Sequence, residues 1–252
     1  MASNTEQQKS IYIVRYGLTE YPLVEDKGPY DSDIDPNQGI PHAQAIATRL
    51  SQDISSSKDT TVLSSPFLRT THTASIIADQ LNIKVQIEEG LTEWQIPSLL
   101  VEQETGSKTN PRTVTELHKI FPNIDTTYQS GNPFQSSWYP ETDESKLLKR
   151  CATTLQKILE QHASLTNIIL VSHAPCDQAL ALYLEGNTNN PERSTLTPWP
   201  LGGITKFTSS RNSSEEEWTM EWYGDTQHVS SSLFYMYGFK YISPIILLSY
   251  LI

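Results

Sequence analysis

The sequence predicts an α/β protein in which a mostly parallel sheet is covered by helices on both faces. Short apolar segments rich in β-branched residues alternate with longer segments of helical periodicity. Two of the apolar segments run directly into polar residues, as strands of parallel sheets often do at their carboxyl ends. At 252 residues, the chain is long enough to bury one large domain or two small ones.

The predicted strands are short apolar segments bounded by turn residues. IYIVR at residues 11–15 is followed at once by Gly17, and NIILV at residues 167–171 is the most apolar of the set. Residues 209–217 are rich in serine and glutamate, which predicts an exposed turn between two late strands. The remaining predicted strands cover residues 61–63, 83–87, 204–208 and 218–223.

The predicted helices begin where a proline or a capping residue precedes apolar residues at helical spacing. Pro41 opens a helix to about residue 53, and residues 66–81 form a second helix for which Ser64 and Ser65 offer caps. A long amphipathic helix is predicted over residues 143–162. Two shorter helices are predicted around residues 112–120 and over residues 176–184.

The predicted organisation is a single domain with a short arm and a tail. A polar arm covers residues 1–9, the domain covers residues 10–230, and residues 96–140 form an insertion beside the site. The tail, residues 231–252, is apolar, with 15 apolar residues among the 20 in residues 233–252. A membrane anchor, an edge strand or helix packed on the domain, and a chain end added by imprecise gene modelling all remain open for it.

The composition restricts the partners of the domain. Eighteen basic against 29 acidic residues give a net charge of −11, so the average surface repels nucleic acid and anionic membranes. A phosphorylated ligand therefore requires a local basic pocket. Two cysteines and a polar N-terminus favour the cytoplasm or the nucleus. The spacings typical of nucleotide loops, zinc sites and GxSxG hydrolases do not occur, so we expect no cofactor and no metal.

Candidate functional residues cluster at predicted strand ends. Arg15 and Gly17 follow the first strand, His173 follows the strand at residues 167–171, and Arg69 lies in the first turns of a helix that itself starts at a strand end. Two arginines and a histidine that meet there would form an anion site, and Gly17 would let the backbone approach the ligand closely. Glu93 is a candidate proton donor, on the condition that its neighbours desolvate it and raise its pKa.

Four motifs carry a family resemblance. They are VRYGLTE at residues 14–20, SSPFLRTTHTA at residues 64–74, GLTEW at residues 90–94 and LVSHA at residues 170–174. In this order they resemble the motifs of the histidine phosphatase superfamily, the phosphoglycerate mutase-like proteins, over roughly residues 10 to 210. The resemblance implies a three-layer α/β sandwich and hydrolysis or transfer of phosphomonoesters through a phosphohistidine.

The resemblance also implies residue roles. Arg15, Arg69 and His173 match the phosphate clamp, and Glu93 matches the acid that protonates the leaving oxygen. The first motif departs from the family pattern, because Tyr16 stands where the family has its nucleophilic histidine. A neutral imidazole can attack phosphorus directly, whereas a tyrosine phenol, with an ordinary pKa near ~10, must first lose a proton.

Two classes of function follow from this departure. The first is a phosphatase in which Tyr16, a water molecule or a neighbouring histidine, His42 or His72, replaces the nucleophile. The second is a pseudo-phosphatase that binds a phosphorylated small molecule, a phosphoprotein or a protein partner without turnover. The strings GLTEW and FPNID also resemble a fungal subgroup that includes a phosphatase-like subunit of an RNA polymerase III initiation factor, which implies a protein partner in the nucleus.

Overall fold

The computed structural model describes most of the predicted domain, but not its ends. The described residues are 8–19, 31–94, 111–138, 141, 143–186, 199–210 and 217–229. Most of the predicted arm, the whole apolar tail and residues 96–110 of the predicted insertion lie outside them. Among the residues that are described, no helix is both long and apolar enough to cross a membrane.

The sheet has six strands, and four of them are parallel. Their order is β3-β2-β4-β1-β5-β6, in which β5 and β6 are the antiparallel pair at one edge. This order confirms the predicted α/β class with a mostly parallel sheet. The strands are β1 (Ser10–Arg15), β2 (Thr60–Ser64), β3 (Val85–Ile87), β4 (Asn167–Ser172), β5 (Ile204–Ser210) and β6 (Glu217–Asp225).

The side chains of the central strand β1 show why there are three layers. Tyr12 and Val14 point to one face, where they join the core formed with α1, α2 and α3. Ile11 and Ile13 point to the other face and join the core formed with α4 and α5. The helices are α1 (Gly39–Asp53), α2 (Leu68–Leu81), α3 (Val114–Ile120), α4 (Glu144–Gln161) and α5 (Ala174–Leu184).

Helix α2 begins two residues later than predicted, and its cap comes from elsewhere in the chain. Ser64 and Ser65 do not cap it, since the Ser64 hydroxyl donates to the Ser65 carbonyl and the residue at the N-cap is Phe67. Instead, Asp31 accepts the N–H of Leu68 at 2.7 Å. A carboxylate is well suited to the positive end of a helix, but its sequence distance hid it from local motif reasoning.

The described part of the insertion is tied to the domain by a buried carboxylate. Glu88 has no exposed surface and lies at the end of β3, where its side chain accepts hydrogen bonds from both backbone and side chains. The donors are Gly90 N, Tyr128 Oη, Ser130 Oγ, Gly131 N and Asn132 N, at 2.6–3.1 Å. A buried carboxylate with this many donors fixes both segments that it joins.

Candidate functional site

The candidate site lies at the carboxyl ends of β1, β2 and β4. Arg15 pairs in register with Ser172, so the loops that begin with Tyr16 and His173 leave the sheet side by side. β2 ends at Ser64, and the following turn leads into α2, which carries Arg69. The topology therefore brings the predicted strand-end residues to one edge of the sheet.

Tyr16 is the common contact of this cluster. Its ring lies edge-on to the imidazole of His173, with ring centroids 5.6 Å apart. The guanidinium carbon of Arg69 lies 5.0 Å from the Tyr16 ring centroid, and that of Arg15 lies 5.6 Å from it. The structure thus brings together the two arginines, the tyrosine and the histidine that the sequence analysis singled out.

His173 is fully buried and has polar groups on both ring nitrogens. Its Nδ1 lies 3.1 Å from Arg69 Nη2 and 3.1 Å from Glu93 Oε2. Its Nε2 lies 2.8 Å from the hydroxyl of Ser65. With the proton on Nδ1, His173 donates to Glu93 and the Ser65 hydroxyl donates to Nε2. With the proton on Nε2, His173 donates to Ser65 Oγ and Nδ1 accepts from Arg69, so the hydroxyl pairs with either tautomer. Sequence reasoning had assigned Ser65 to a helix cap, and nothing local to SSP distinguishes the two roles.

Glu93 is ionised, so the raised pKa that was expected of it as a proton donor is wrong. Burial on its own raises the pKa of Glu93, as expected, but the nearby His173 and Arg69 outweigh burial and lower the pKa to about 2. Arg69 Nη2 lies 3.2 Å from Glu93 Oε2, and its permanent charge keeps the carboxylate ionised. Burial lowers the pKa of His173 to about 4, against the opposing attraction of Glu93, so the imidazole is neutral at pH 7.

A second carboxyl group lies near the site. Asp177 is fully buried in α5, where one oxygen accepts the Ser172 hydroxyl at 2.7 Å. Burial raises the pKa of Asp177 well above its ordinary value, and Ser172 and Arg15 offset this only in part. Arg15 and Arg69 bring two positive charges to the cluster, against one negative charge on the ionised Glu93. The two guanidinium groups suit an anionic ligand in an otherwise acidic protein.

Gly17 approaches a helix rather than an open cavity. Its N–H donates to Thr73 Oγ1 at 3.1 Å, and a Cβ at this position would lie 3.1 Å from the carbonyl oxygen of Gly39 at the start of α1. The absence of a side chain therefore lets the Tyr16 loop pack against α1. Close approach of this backbone to a ligand stays a prediction.

The two other candidate histidines lie outside the cluster. His72 pairs with Asp33 at 2.9 Å and packs against Phe121. His42 is buried in α1, and its Nδ1 accepts the N–H of Leu18 at 3.3 Å. Both have structural partners, so neither is placed to replace a nucleophile beside Tyr16. Among the residues that the structure describes, no group of three or more His, Cys, Asp or Glu could hold a metal ion.

Acidification is expected to destabilise the fold through His42. Burial lowers the pKa of His42 to about 4, and the charge of His228 contributes less. The unfolded chain takes up this proton near pH 6.5 and the folded chain does not. The free energy of unfolding is therefore fully retained above about pH 6.5 and falls by up to roughly 3 kcal/mol toward pH 4. Urea unfolding at several pH values measures it.

The comparison is between the parent chain and His42→Gln. His42→Gln is expected to flatten the pH dependence of the free energy of unfolding between pH 6.5 and 4. His173 titrates in the same direction and stays in both proteins. Equal slopes in the two proteins would contradict the assignment to His42.

The sequence of the chain is similar to those of histidine phosphatases and phosphoglycerate mutase-like proteins. Residues 11–226 match the profile of the histidine phosphatase superfamily (branch 1). Phosphoglycerate mutase-like protein 4 of Arabidopsis thaliana is 29% identical over 233 residues, which cover 91% of this chain and 90% of that protein.

Solved structures agree on the fold. Ecdysone phosphate phosphatase of Bombix mori, in complex with tungstate, superposes with a TM-score of 0.59 at 18% identity, covering 79% of this chain and 88% of that one. Phosphoserine phosphatase of Entamoeba histolytica, in complex with 3-phosphoglyceric acid, gives a TM-score of 0.56 at 23% identity, covering 87% of this chain and 98% of that one. At such identities the likeness establishes a shared architecture.

Proposed function

Because the chain belongs to the histidine phosphatase superfamily, we propose that its site binds the phosphoryl group of a phosphomonoester and turns it over slowly at most. Arg15, Arg69 and His173 hold the phosphoryl oxygens in this proposal. Tyr16 stands at the position of the family's nucleophile and impairs the chemical step. The observation that carries the proposal is the contact of Tyr16 with all three of these side chains.

The electrostatics support anion binding and suggest how a proton would be supplied. Arg69 offers charge-assisted hydrogen bonds, and its partner Glu93 is ionised. A dianionic phosphoryl group next to Glu93 raises the proton affinity of that carboxylate through like-charge repulsion. Glu93 would then take up a proton on binding and become able to protonate a leaving oxygen.

The ligand class that we propose is a phosphorylated small molecule or a phosphoprotein. The structural relatives named above are an ecdysone phosphate phosphatase and a phosphoserine phosphatase, which favours a small molecule. Residues 18–40 and 96–140 flank the site in sequence and would set the choice. We further propose a cytoplasmic or nuclear location from the composition.

A pseudo-phosphatase is the second candidate function. The contact that favours it is the edge-on packing of Tyr16 on a His173 that has no exposed surface. A phenol is a poor nucleophile at pH 7, so a phosphorylated ligand or protein would bind without being hydrolysed.

Two measurements on the purified protein test the proposal. Calorimetric titration with inorganic phosphate is expected to show binding with a Kd in the micromolar to millimolar range, with net proton uptake when buffers of different ionisation enthalpy are compared. Hydrolysis of an aryl phosphate ester between pH 5 and 9 is expected to stay close to the uncatalysed rate. Absence of phosphate binding by the folded protein would refute the proposed site, and turnover that Tyr16→Phe removes would refute the impaired chemical step.

A further inference from the structure

The short turn that carries Glu93 is held by an arginine from another helix. This turn follows β3 and consists of residues 88–93. Arg150 of α4 reaches it with both terminal nitrogens. Nη1 donates to the carbonyl oxygens of Gly90 and Thr92 at 2.8 and 2.9 Å, and Nη2 donates to that of Glu93 at 3.4 Å. Arg150 therefore fixes the backbone from which the Glu93 side chain extends.

A bidentate ion pair immobilises this guanidinium. Glu141, in the segment that leads from the insertion into α4, accepts Arg150 Nε at 2.7 Å and Nη2 at 2.8 Å. The five N–H groups of Arg150 are thus all used. Arg150 is 4% exposed and Glu141 1%, and the pair raises the pKa of Arg150 above its ordinary value even though burial opposes this. Buried bidentate pairs of this kind hold a fixed orientation.

The same pair connects the insertion to the site by a second route. Trp94, the residue after Glu93, donates its indole N–H to the Glu141 carbonyl oxygen at 3.1 Å. A movement of Glu141 would therefore change both the grip on Arg150 and the position of Trp94. Glu93 lies between Thr92, whose carbonyl oxygen accepts from Arg150, and Trp94, and its carboxylate is 3.1 Å from His173 Nδ1.

We propose that Arg150 is a positioning residue for Glu93, and that Glu141 holds Arg150 in the orientation required. The expected effect on kcat rests on the proposed function, whereas the placement of Glu93 next to His173 does not. Lysine carries the same charge with three donors on a point-like head group, so it cannot bridge three carbonyls and a carboxylate at once. Arg150→Lys therefore releases Glu93 while keeping the charge.

Nitrogen-15 NMR of the His173 ring tests the positioning without any turnover. The full chain is compared as wild type, Arg150→Lys, Glu141→Gln and the matched control Arg49→Lys. Arg49 is also paired, with Asp225 at 3.0 Å, and it stacks on Trp222 far from the Glu93 turn. Both Arg150→Lys and Glu141→Gln are expected to shift the His173 Nδ1 resonance and its titration midpoint, the second by less. Arg49→Lys is expected to leave both unchanged.

A kinetic readout follows in a Tyr16→His background. There, Arg150→Lys is expected to lower kcat by about 10- to 100-fold while KM changes little, because a misplaced proton-transfer group acts on the chemical step. If Arg150→Lys does not fold, Glu141→Gln tests the proposal in its place, since glutamine has the shape of glutamate and keeps one oxygen that can accept from Arg150. Lower thermal stability with an unchanged His173 spectrum would overturn the proposal. An inactive Tyr16→His background would count against the proposed function alone, because the NMR comparison does not depend on it.

Discussion

Tyr16→His is expected to raise the hydrolysis of an aryl phosphate ester at least about a hundredfold over the parent chain. The surrounding electrostatics are already assembled, since Arg15, Arg69 and His173 all contact the side chain at this position. A protonated phenol oxygen is a weak nucleophile and must lose its proton to attack phosphorus effectively. A neutral imidazole has a nucleophilic ring nitrogen without a prior proton loss.

The size of the side chain acts in the same direction. Tyrosine is longer than histidine by its hydroxyl and ring length, and its ring centroid lies 5.6 and 5.0 Å from the guanidinium carbons of Arg15 and Arg69. A shorter imidazole vacates room in which the phosphoryl group can approach. Both effects favour the substituted protein, so a large gain is expected from one change.

Two control variants separate these effects. Tyr16→Phe keeps the ring and removes the hydroxyl, so it is expected to be as inert as the parent chain. A phosphoenzyme formed by the histidine variant from an aryl ester with a labelled phosphoryl group should lose the label on acid quenching. The reason is that phosphohistidine is acid-labile and phosphotyrosine is not. A histidine variant that binds phosphate as tightly as the parent chain but stays inactive would support a binding module instead.

Arg69→Ala is expected to weaken phosphate binding by about 30- to 1000-fold, which corresponds to roughly 2–4 kcal/mol. The guanidinium is 6% exposed, and it is the residue that contacts Tyr16, His173 and Glu93 together. Its removal eliminates the charge-assisted hydrogen bonds and leaves the Glu93 carboxylate facing the incoming anion. Calorimetric titration with inorganic phosphate measures the loss.

Stability has to be separated from binding in this variant. A buried carboxylate that loses its partner costs about 3–5 kcal/mol, so Arg69→Ala is also expected to unfold at lower urea concentration. Adding Glu93→Gln removes the unpaired charge, so it should restore part of the stability and the part of the phosphate affinity that is lost to repulsion. The part that is lost with the hydrogen bonds of Arg69 should not return. Full affinity in a folded Arg69→Ala protein would show that Arg69 is not part of the clamp.

Local patterns in the sequence predicted most of the fold. The bounds of α4 are those expected, because Asp143 caps its first turn and apolar residues recur at helical spacing. The predicted start of α2 was wrong, since its capping carboxylate, Asp31, is 37 residues away in the sequence. Periodicity and capping by neighbouring residues can be recognised in a short stretch of sequence, whereas a cap from a distant residue cannot.

The candidate site was predictable to the same extent. Strand-end placement was enough to bring Arg15, Arg69 and His173 together. The partners that set their chemistry were hidden, because Ser65 and Arg150 act through side-chain geometry that only the folded backbone defines. The expected rise in the pKa of Glu93 failed for a related reason, since burial was foreseeable and the positive charge next to the carboxylate was not.

The position of β1 has a consequence for how the chain folds. β1 lies between β4 and β5, so about 150 residues must be synthesised after it before its first partner strand is complete. Pairing over such sequence distances gives a high contact order and slow folding. Until then both edges of an apolar strand stay open to other chains, which favours aggregation during synthesis. Chains truncated before β5 should therefore accumulate in aggregates or on chaperones.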